Sequence, residues 1–269
     1  MRVLLTGASG FTGLHLGEHL ERLGMDVLRA TNQALPGRPG WVGMDLEDTA
    51  SIKAAVDSAD FDAVIHLAAL SFVGHADAAE FYRVNVIGTL NLLEALAETG
   101  RSFHRVILAS SANVYGRSAQ EVNPETICPA PVNHYGCSKL AMEHLAMGFR
   151  DRLPLMAVRP FNYTGRGQDA NFLVPKIVEH FRQRNDSIEL GNIDVRREFN
   201  DVRMVCEVYG RLLQADGPSP IVNLCSGLSH RLTDVLELMQ EIAGYEIDVQ
   251  VNPAFVRANE LPDLRGDPA

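Results

Sequence analysis

A chain of 269 residues, 46% hydrophobic and 22% charged, is long enough to bury a substantial core and has the composition of a soluble globular protein. Its 34 acidic against 24 basic side chains give a net charge of -10, which excludes a nucleic-acid or anionic-membrane surface but leaves room for a phosphorylated small ligand. No leader pattern and no apolar stretch near about eighteen residues stands in the chain, so a cytoplasmic protein with no membrane partner is expected.

Arg2-Val3-Leu4-Leu5-Thr6 is a short apolar run closed at once by Gly7-Ala8-Ser9-Gly10-Phe11-Thr12-Gly13. The pattern predicts a buried parallel strand, Val3–Thr6, turning sharply into a helix from Phe11 to Leu23 that Gly24 ends. That helix carries Leu14, Leu16, Leu20 and Leu23 largely on one side. The spacing G-x-x-G-x-x-G gives a tight turn, a close backbone approach to a pyrophosphate and close strand–helix packing, with helix N–H groups facing the phosphates.

A second strand is predicted over Met25–Ala30. The residues Val27 to Asn32 hold no acid where an NAD-preferring site places one for the ribose 2′-hydroxyl. Arg29 either meets a 2′-phosphate, which tilts the reading toward NADP(H) over NAD(H), or faces solvent at the strand end. A Gly- and Pro-rich loop, Leu35–Gly40, leads to a strand at Trp41–Met44. Asp45 and Leu46 then stand where an adenine can be held, unless Asp45 merely precedes the helix Thr49–Ser58.

Further strands are expected at Asp62–Leu67 and Arg105–Ala109, separated by a long helix, Ala78–Glu98, that Gly100 stops. Ser110 and Ser111 lie at the carboxyl end of the latter strand, where open α/β sheets hold ligands. A helix at Tyr135–Arg150 and a strand at Leu155–Val158 complete the alternation. Strands alternating with helices mean βαβ units, hence an α/β fold with a Rossmann-type doubly wound parallel sheet.

After Pro160 the rhythm changes. Helices near Val174–Arg184 and Val202–Gln214, strands near Ile188–Leu190 and Ile221–Leu224, and a last helix capped by Thr233 and ending near Gly244 are predicted. The expected division is a dinucleotide-binding part over residues 1–159, rejoined by about 192–226. A smaller C-terminal substrate lobe is built from 160–191 and 227–269. Cys128, Cys137, Cys206 and Cys225 lack CxxC or zinc-finger spacing, so buried reduced thiols and no metal site are expected.

Tyr135-Gly136-Cys137-Ser138-Lys139 places a phenol and an ammonium four residues apart on one helix face. A free phenol with a pKa of about 10 is a poor base at neutral pH, and a nearby cation favours its ionised form. The pair can exchange a proton with a substrate alcohol or carbonyl while Lys139 also holds a ribose.

The order T-G-x-x-G-x-x-G, Asp45-Leu46, His66-Leu67-Ala68-Ala69, Asn85-Val86-Ile87-Gly88-Thr89, Ser110-Ser111 and Tyr135-x-x-x-Lys139 resembles the extended short-chain dehydrogenase/reductase family over essentially the whole chain. The resemblance implies hydride exchange with a nicotinamide, a nucleotide-diphosphate-sugar substrate and a homodimer paired through the long helix and the helix of Tyr135. It implies catalytic roles for Ser111, which orients the carbonyl, Tyr135, the general acid/base, and Lys139, which lowers the Tyr pKa. Gly7, Ser9, Gly10, Phe11, Thr12, Gly13, Leu67, Ala68 and Ala69 would line the cofactor, with Tyr135 and Lys139 also touching it.

Family dehydratases carry Thr-Asp-Glu before Val-Tyr-Gly, whereas this chain reads Ser111-Ala112-Asn113, so 4,6-dehydration is not expected. The later stretches Arg159 to Gln168, Asp194 to Val202 and Asn223 to Gly227 resemble the GDP-6-deoxy-4-keto-mannose reductases, with Tyr163 and Arg166 as departures. That likeness implies substrate contacts from Ser110, Asn162, Lys176, Arg197, Arg257 and Glu260. Family chains usually run some tens of residues past the segment like Leu264-Arg265-Gly266-Asp267, whereas this sequence stops at Ala269, so either a tail is missing from it or the protein is short. The expected activity is NAD(P)H-dependent reduction at C4 of a nucleotide-diphospho-4-keto-6-deoxyhexose. Its rivals are a UDP-hexose 4-epimerase with tightly held NAD and a non-catalytic NADP(H) sensor.

Overall fold

The continuous apolar runs become seven strands of one all-parallel sheet: β1 (Arg2–Thr6), β2 (Asp26–Thr31), β3 (Trp41–Gly43), β4 (Ala63–His66), β5 (Arg105–Ala109), β6 (Leu155–Pro160) and β7 (Ile221–Leu224). Their order is β7-β6-β5-β4-β1-β2-β3. Leu4, Leu5, Val64, Ile65, Val106 and Ile107 are essentially inaccessible, because helices cover both faces of a parallel sheet. Each such side chain contributes about 1.5–3 kcal/mol on burial. This computed structural model describes all residues except 33–36, 74–76, 118–119, 216, 218–219 and 257–260.

On one face, α1 (Phe11–Arg22) packs with a later helix, Val202–Gln214, through Leu16, Leu20, Val205, Tyr209 and Leu213. Leu14 and Leu23, expected on the same apolar side, are half exposed, and Gly13 and Gly17 take their place against the core. The other face is covered by α2 (Thr49–Asp57) and by the long predicted helix, which is not uniform. It runs as α3 (Ala78–Tyr82), a π-turn at Arg83–Ile87 and α4 (Gly88–Glu98). The helix α5 (His134–Met147) lies beside it, its first turn capped by Asn133, whose side-chain oxygen accepts the Gly136 N–H at 2.7 Å.

A separate apolar cluster lies beyond the sheet. It joins α6 (Leu173–Arg182), the strand Ser187–Leu190 and a helix starting at Leu232 through Ile177, Phe181, Leu190 and Leu236. With Val202–Gln214 as α7, this last helix is α8 (Leu232–Ala243). It begins before Thr233, and its entry is held by the Asp234 carboxylate, which accepts the Arg231 N–H at 3.0 Å. Strands of two to four residues at Tyr163–Thr164, Arg196–Arg197, Asn200–Asp201, His230–Arg231, Asp248–Val251 and Asp263–Leu264 escape a periodicity argument, since they are too short to alternate. All four cysteines are free thiols, but only Cys206 is buried and Cys128 is exposed. Among the described residues, no helix is long and apolar enough to cross a membrane.

Candidate active site

The strand order reverses between β1 and β4, so the carboxyl ends of the strands diverge there. A cleft of about 1420 Å³ opens at that point and extends to α6. Its first wall is the turn after β1. Gly7 holds φ +67°, and a Cβ on it would lie 2.7 Å from the Ala68 nitrogen. A Cβ on Gly13 would lie 2.2 Å from the Gly7 carbonyl, so the helix can approach the strand only without a side chain there. Gly10 caps α1 with no side-chain hydrogen bond, which leaves the first-turn N–H groups and the helix dipole aimed at the cleft. This turn fits a dinucleotide pyrophosphate. The Thr12 hydroxyl, on the same turn, is paired with the Tyr163 phenol at 2.8 Å.

The ribose end of the cleft is lined by Ser9, Thr31 and Asn32, with the Ser9 and Thr31 hydroxyls 2.8 Å apart. Arg29 is not there. Alternation along β2 turns it toward α1, where its guanidinium pairs with Glu21 at 2.7 Å and packs on Gly17 and the Trp41 ring. It therefore lies outside the cleft lining, paired rather than facing solvent. Leu46 lines the cleft, but Asp45 turns back and accepts the Glu47 N–H at 3.0 Å, an Asx turn that starts its own loop. Leu67, Ala68 and Ala69 follow β4 along the opposite wall.

Ser111, Tyr135 and Lys139 meet at the end of β5 and line the cleft together. Ser111 caps a 3₁₀ turn, Ala112–Val114, and its oxygen accepts both the backbone and side-chain N–H of Asn113 at 3.1 Å. Burial pushes the Tyr135 phenol up to about 12, and hydrogen bonding with Ser111 pulls against that shift. Lys139, 3% exposed, donates to the Ala109 carbonyl at 2.7 Å. Burial lowers its ammonium to about 8, with the Glu143 carboxylate opposing. Desolvation, not a neighbouring cation, sets the direction of the Tyr135 shift, and the phenol is a protonated donor.

Ser110 also lines the cleft, but its hydroxyl donates to Glu143, which makes it a buried support of that carboxylate. What distinguishes it from Ser111 is the partner its hydroxyl takes. Glu143 is also gripped by Arg159 through two bonds, at 2.9 and 2.6 Å. Both partners are buried, and breaking such a pair by removing one side costs about 3–5 kcal/mol. Sequence reasoning passed over Glu143, Arg159 and Asn113. The spacing of Glu143, one turn past Lys139 on the same helix face, was the available signal.

On the far side, Asn162, Lys176 and Arg197 all line the cleft. Lys176 donates to the Glu189 carbonyl at 2.7 Å and sits 4.5 Å over the Phe255 ring, and an Arg197 N–H donates to the Arg196 carbonyl at 2.7 Å. Arg257 and Glu260 lie outside the described residues.

The family model described as GDP-mannose 4,6 dehydratase matches residues 4–269. The chain is 36% identical over 270 residues to a GDP-6-deoxy-D-talose 4-dehydrogenase of Aggregatibacter actinomycetemcomitans, covering 100% of this chain and 89% of that one. It is 34% identical over 279 residues to a GDP-6-deoxy-D-mannose reductase of Pseudomonas aeruginosa, covering 100% and 88%. A solved structure of RMD from Pseudomonas aeruginosa complexed with NADPH superposes with a TM-score of 0.86 at 32% identity, over 99% of this chain and 89% of that one.

Proposed function

The chain belongs to the GDP-mannose 4,6-dehydratase family of extended short-chain dehydrogenases/reductases, and from that membership we propose that it reduces the C4 keto group of a GDP-linked 4-keto-6-deoxyhexose. It is an NAD(P)-dependent nucleotide-sugar enzyme acting in oxidation–reduction at C4. The observation that carries the reductive reading is the buried Tyr135 phenol meeting Ser111 and Lys139 in the cleft at the end of β5. Ala112 and Asn113 stand where family dehydratases carry an acid pair. Asn113 spends its amide on Ser111, which leaves no carboxylate there to drive elimination.

The nicotinamide, when bound, supplies the hydride to C4. Tyr135 gives its proton to the oxygen that becomes the alcohol, which as general acid catalysis supplies about 10²–10⁴-fold. Ser111 donates to the same oxygen, its own lone pairs being held by Asn113. Lys139 places a positive charge beside the developing alkoxide and holds the cofactor ribose. The turn Gly7–Gly13 with Ser9, Phe11 and Thr12 seats the pyrophosphate, Leu46 borders the adenine, and Leu67, Ala68 and Ala69 line the cofactor's path. Asn162, Lys176 and Arg197, with Arg257 and Glu260, receive the sugar nucleotide, since guanidinium forks match phosphate oxygens. NADPH is the proposed donor, because Ser9, Thr31 and Asn32 put no carboxylate at the ribose end to repel a 2′-phosphate. The active form is proposed to be a homodimer paired through α4 and α5.

The experiment is a panel of GDP-, dTDP- and UDP-linked 4-keto sugars assayed with NADPH and NADH. Stoichiometric NADPH oxidation with the GDP-linked sugar is the expected result. Interconversion of a UDP-hexose with no net cofactor consumption would overturn it. Tyr135→Phe is expected to abolish turnover while leaving the NADPH Kd within about threefold, a small change in binding free energy. Turnover close to wild type in that variant would remove Tyr135 from the mechanism.

A further inference from the structure

We propose that His66 is a positioning residue that ties the cofactor-facing turn to the helix carrying Tyr135. The inference rests on the reading of that turn as the nicotinamide cofactor's seat. His66 ends β4 with 2% exposure and does not border the cleft, so the proposed mechanism gives it no task.

Donor and acceptor arithmetic fixes how its ring is used. The Thr89 hydroxyl donates to the Asn85 carbonyl at 2.8 Å, because a carbonyl can only accept. The Thr89 oxygen therefore accepts from His66 Nε2–H at 3.0 Å. Burial pushes the imidazole down to about 3, so the ring is neutral and Nδ1 carries no proton. Nδ1 must then accept from the Thr6 hydroxyl at 2.7 Å, and the Thr6 oxygen in turn accepts the Ala68 N–H at 3.2 Å. The result is one unidirectional series: Ala68 N–H to Thr6, Thr6 to His66, His66 to Thr89, Thr89 to the Asn85 carbonyl.

Both ends of the series reach functional parts. Thr6 and Ala68 line the cleft, and Ala68 is the backbone against which Gly7 packs. Asn85 lies in the π-turn, a distortion frequent at functional sites, and is itself buried. Its side chain accepts the Leu70 N–H at 2.9 Å and donates to the Ser138 oxygen at 3.0 Å. The Ser138 hydroxyl donates to the Tyr135 carbonyl at 2.8 Å. Ordering of the turn by a bound dinucleotide is thereby transmitted to the backbone of Tyr135 through buried groups, with Asn85 also braced on both the N–H and the carbonyl of Leu70.

Amide hydrogen exchange with and without NADPH tests this without turnover. In the wild type, NADPH is expected to slow exchange at residues 7–13 and across the Tyr135 turn of α5 by about tenfold or more. Thr89→Val, which keeps the shape but loses the hydroxyl, should retain protection of the turn and lose that of α5. Thr89→Ser should behave as the wild type. Ser138→Ala cuts the last link with a smaller change and should show the same selective loss, which covers a Thr89→Val protein that fails to fold. Undiminished α5 protection in Ser138→Ala or in a folded Thr89→Val, or its loss in Thr89→Ser, would overturn the inference. A wild type that binds neither NADPH nor NADH would overturn the reading of the cofactor seat and the inference with it.

Discussion

Tyr135 and Lys139 stand four residues apart on α5, yet burial moves their protons in opposite senses, the phenol up to about 12 and the ammonium down to about 8. Reduction needs both groups protonated. The phenol keeps its proton well past neutrality, whereas Lys139 loses its own as pH rises through about 8. The kcat/KM for keto-sugar reduction is therefore expected to be level on the acid side and to fall above about pH 8, measured as a pH–rate profile. A profile still level at pH 10 would contradict the depressed Lys139. Ser110 gives a second test at this scale. Since its hydroxyl serves Glu143, Ser110→Ala is expected to lower kcat through the Glu143–Lys139 region and to leave the sugar-nucleotide KM unchanged. A raised KM with intact kcat would restore Ser110 as a substrate contact.

The βα unit formed by β1 and α1 works through close approach. Gly13 lets α1 meet the strand at a distance that admits no methyl group, and the same contact aims the helix N-terminus at the cleft. Gly13→Ala would place a Cβ 2.2 Å from the Gly7 carbonyl and 2.7 Å from the Ala8 Cα, both rigid backbone. Such overpacking costs about 1–3 kcal/mol. A lower melting temperature and a weaker NADPH Kd are expected together, from thermal unfolding and fluorescence titration. An unchanged Kd would separate the turn from cofactor binding. The long helix shows the opposite device. Its helical period predicts one uninterrupted rod, and the π-turn at Arg83–Ile87 breaks it so that Asn85 faces inward to Leu70 and Ser138.

At the scale of the molecule, one cleft is shared by the parallel sheet and the smaller apolar cluster around α6 and α8. The sheet side lines it with Tyr135 and the Gly7–Gly13 turn, and the α6 side lines it with Lys176 and, from a nearby short strand, Arg197. The outer side of the α3–α4 helix leaves Ile87 51% exposed, an apolar residue suited to pairing with a second copy. Ile87→Glu is expected to convert the proposed homodimer to a monomer in sedimentation velocity, with the fold retained by circular dichroism. A wild type that sediments as a monomer would remove the dimer from the proposal.

What the sequence determined by itself was whatever local pattern controls. Continuous apolar runs set the strands, glycine spacing set the pyrophosphate turn, and four-residue spacing set Tyr135 and Lys139 on one face of α5. What only the tertiary structure decided was the direction of individual side chains and the partners that claim them. Arg29 and Ser110 carry the right chemistry near strand ends, but Glu21 claims the Arg29 guanidinium and Glu143 claims the Ser110 hydroxyl. Asp45 is spent on its own turn. The Thr6–His66–Thr89–Asn85 series joins residues up to 83 positions apart only after β1, β4 and the π-turn pack together. The direction of Tyr135's shift is likewise tertiary. A sequence places a cation beside a phenol, but only packing shows how much water each has lost, and here desolvation is the largest cause of both shifts.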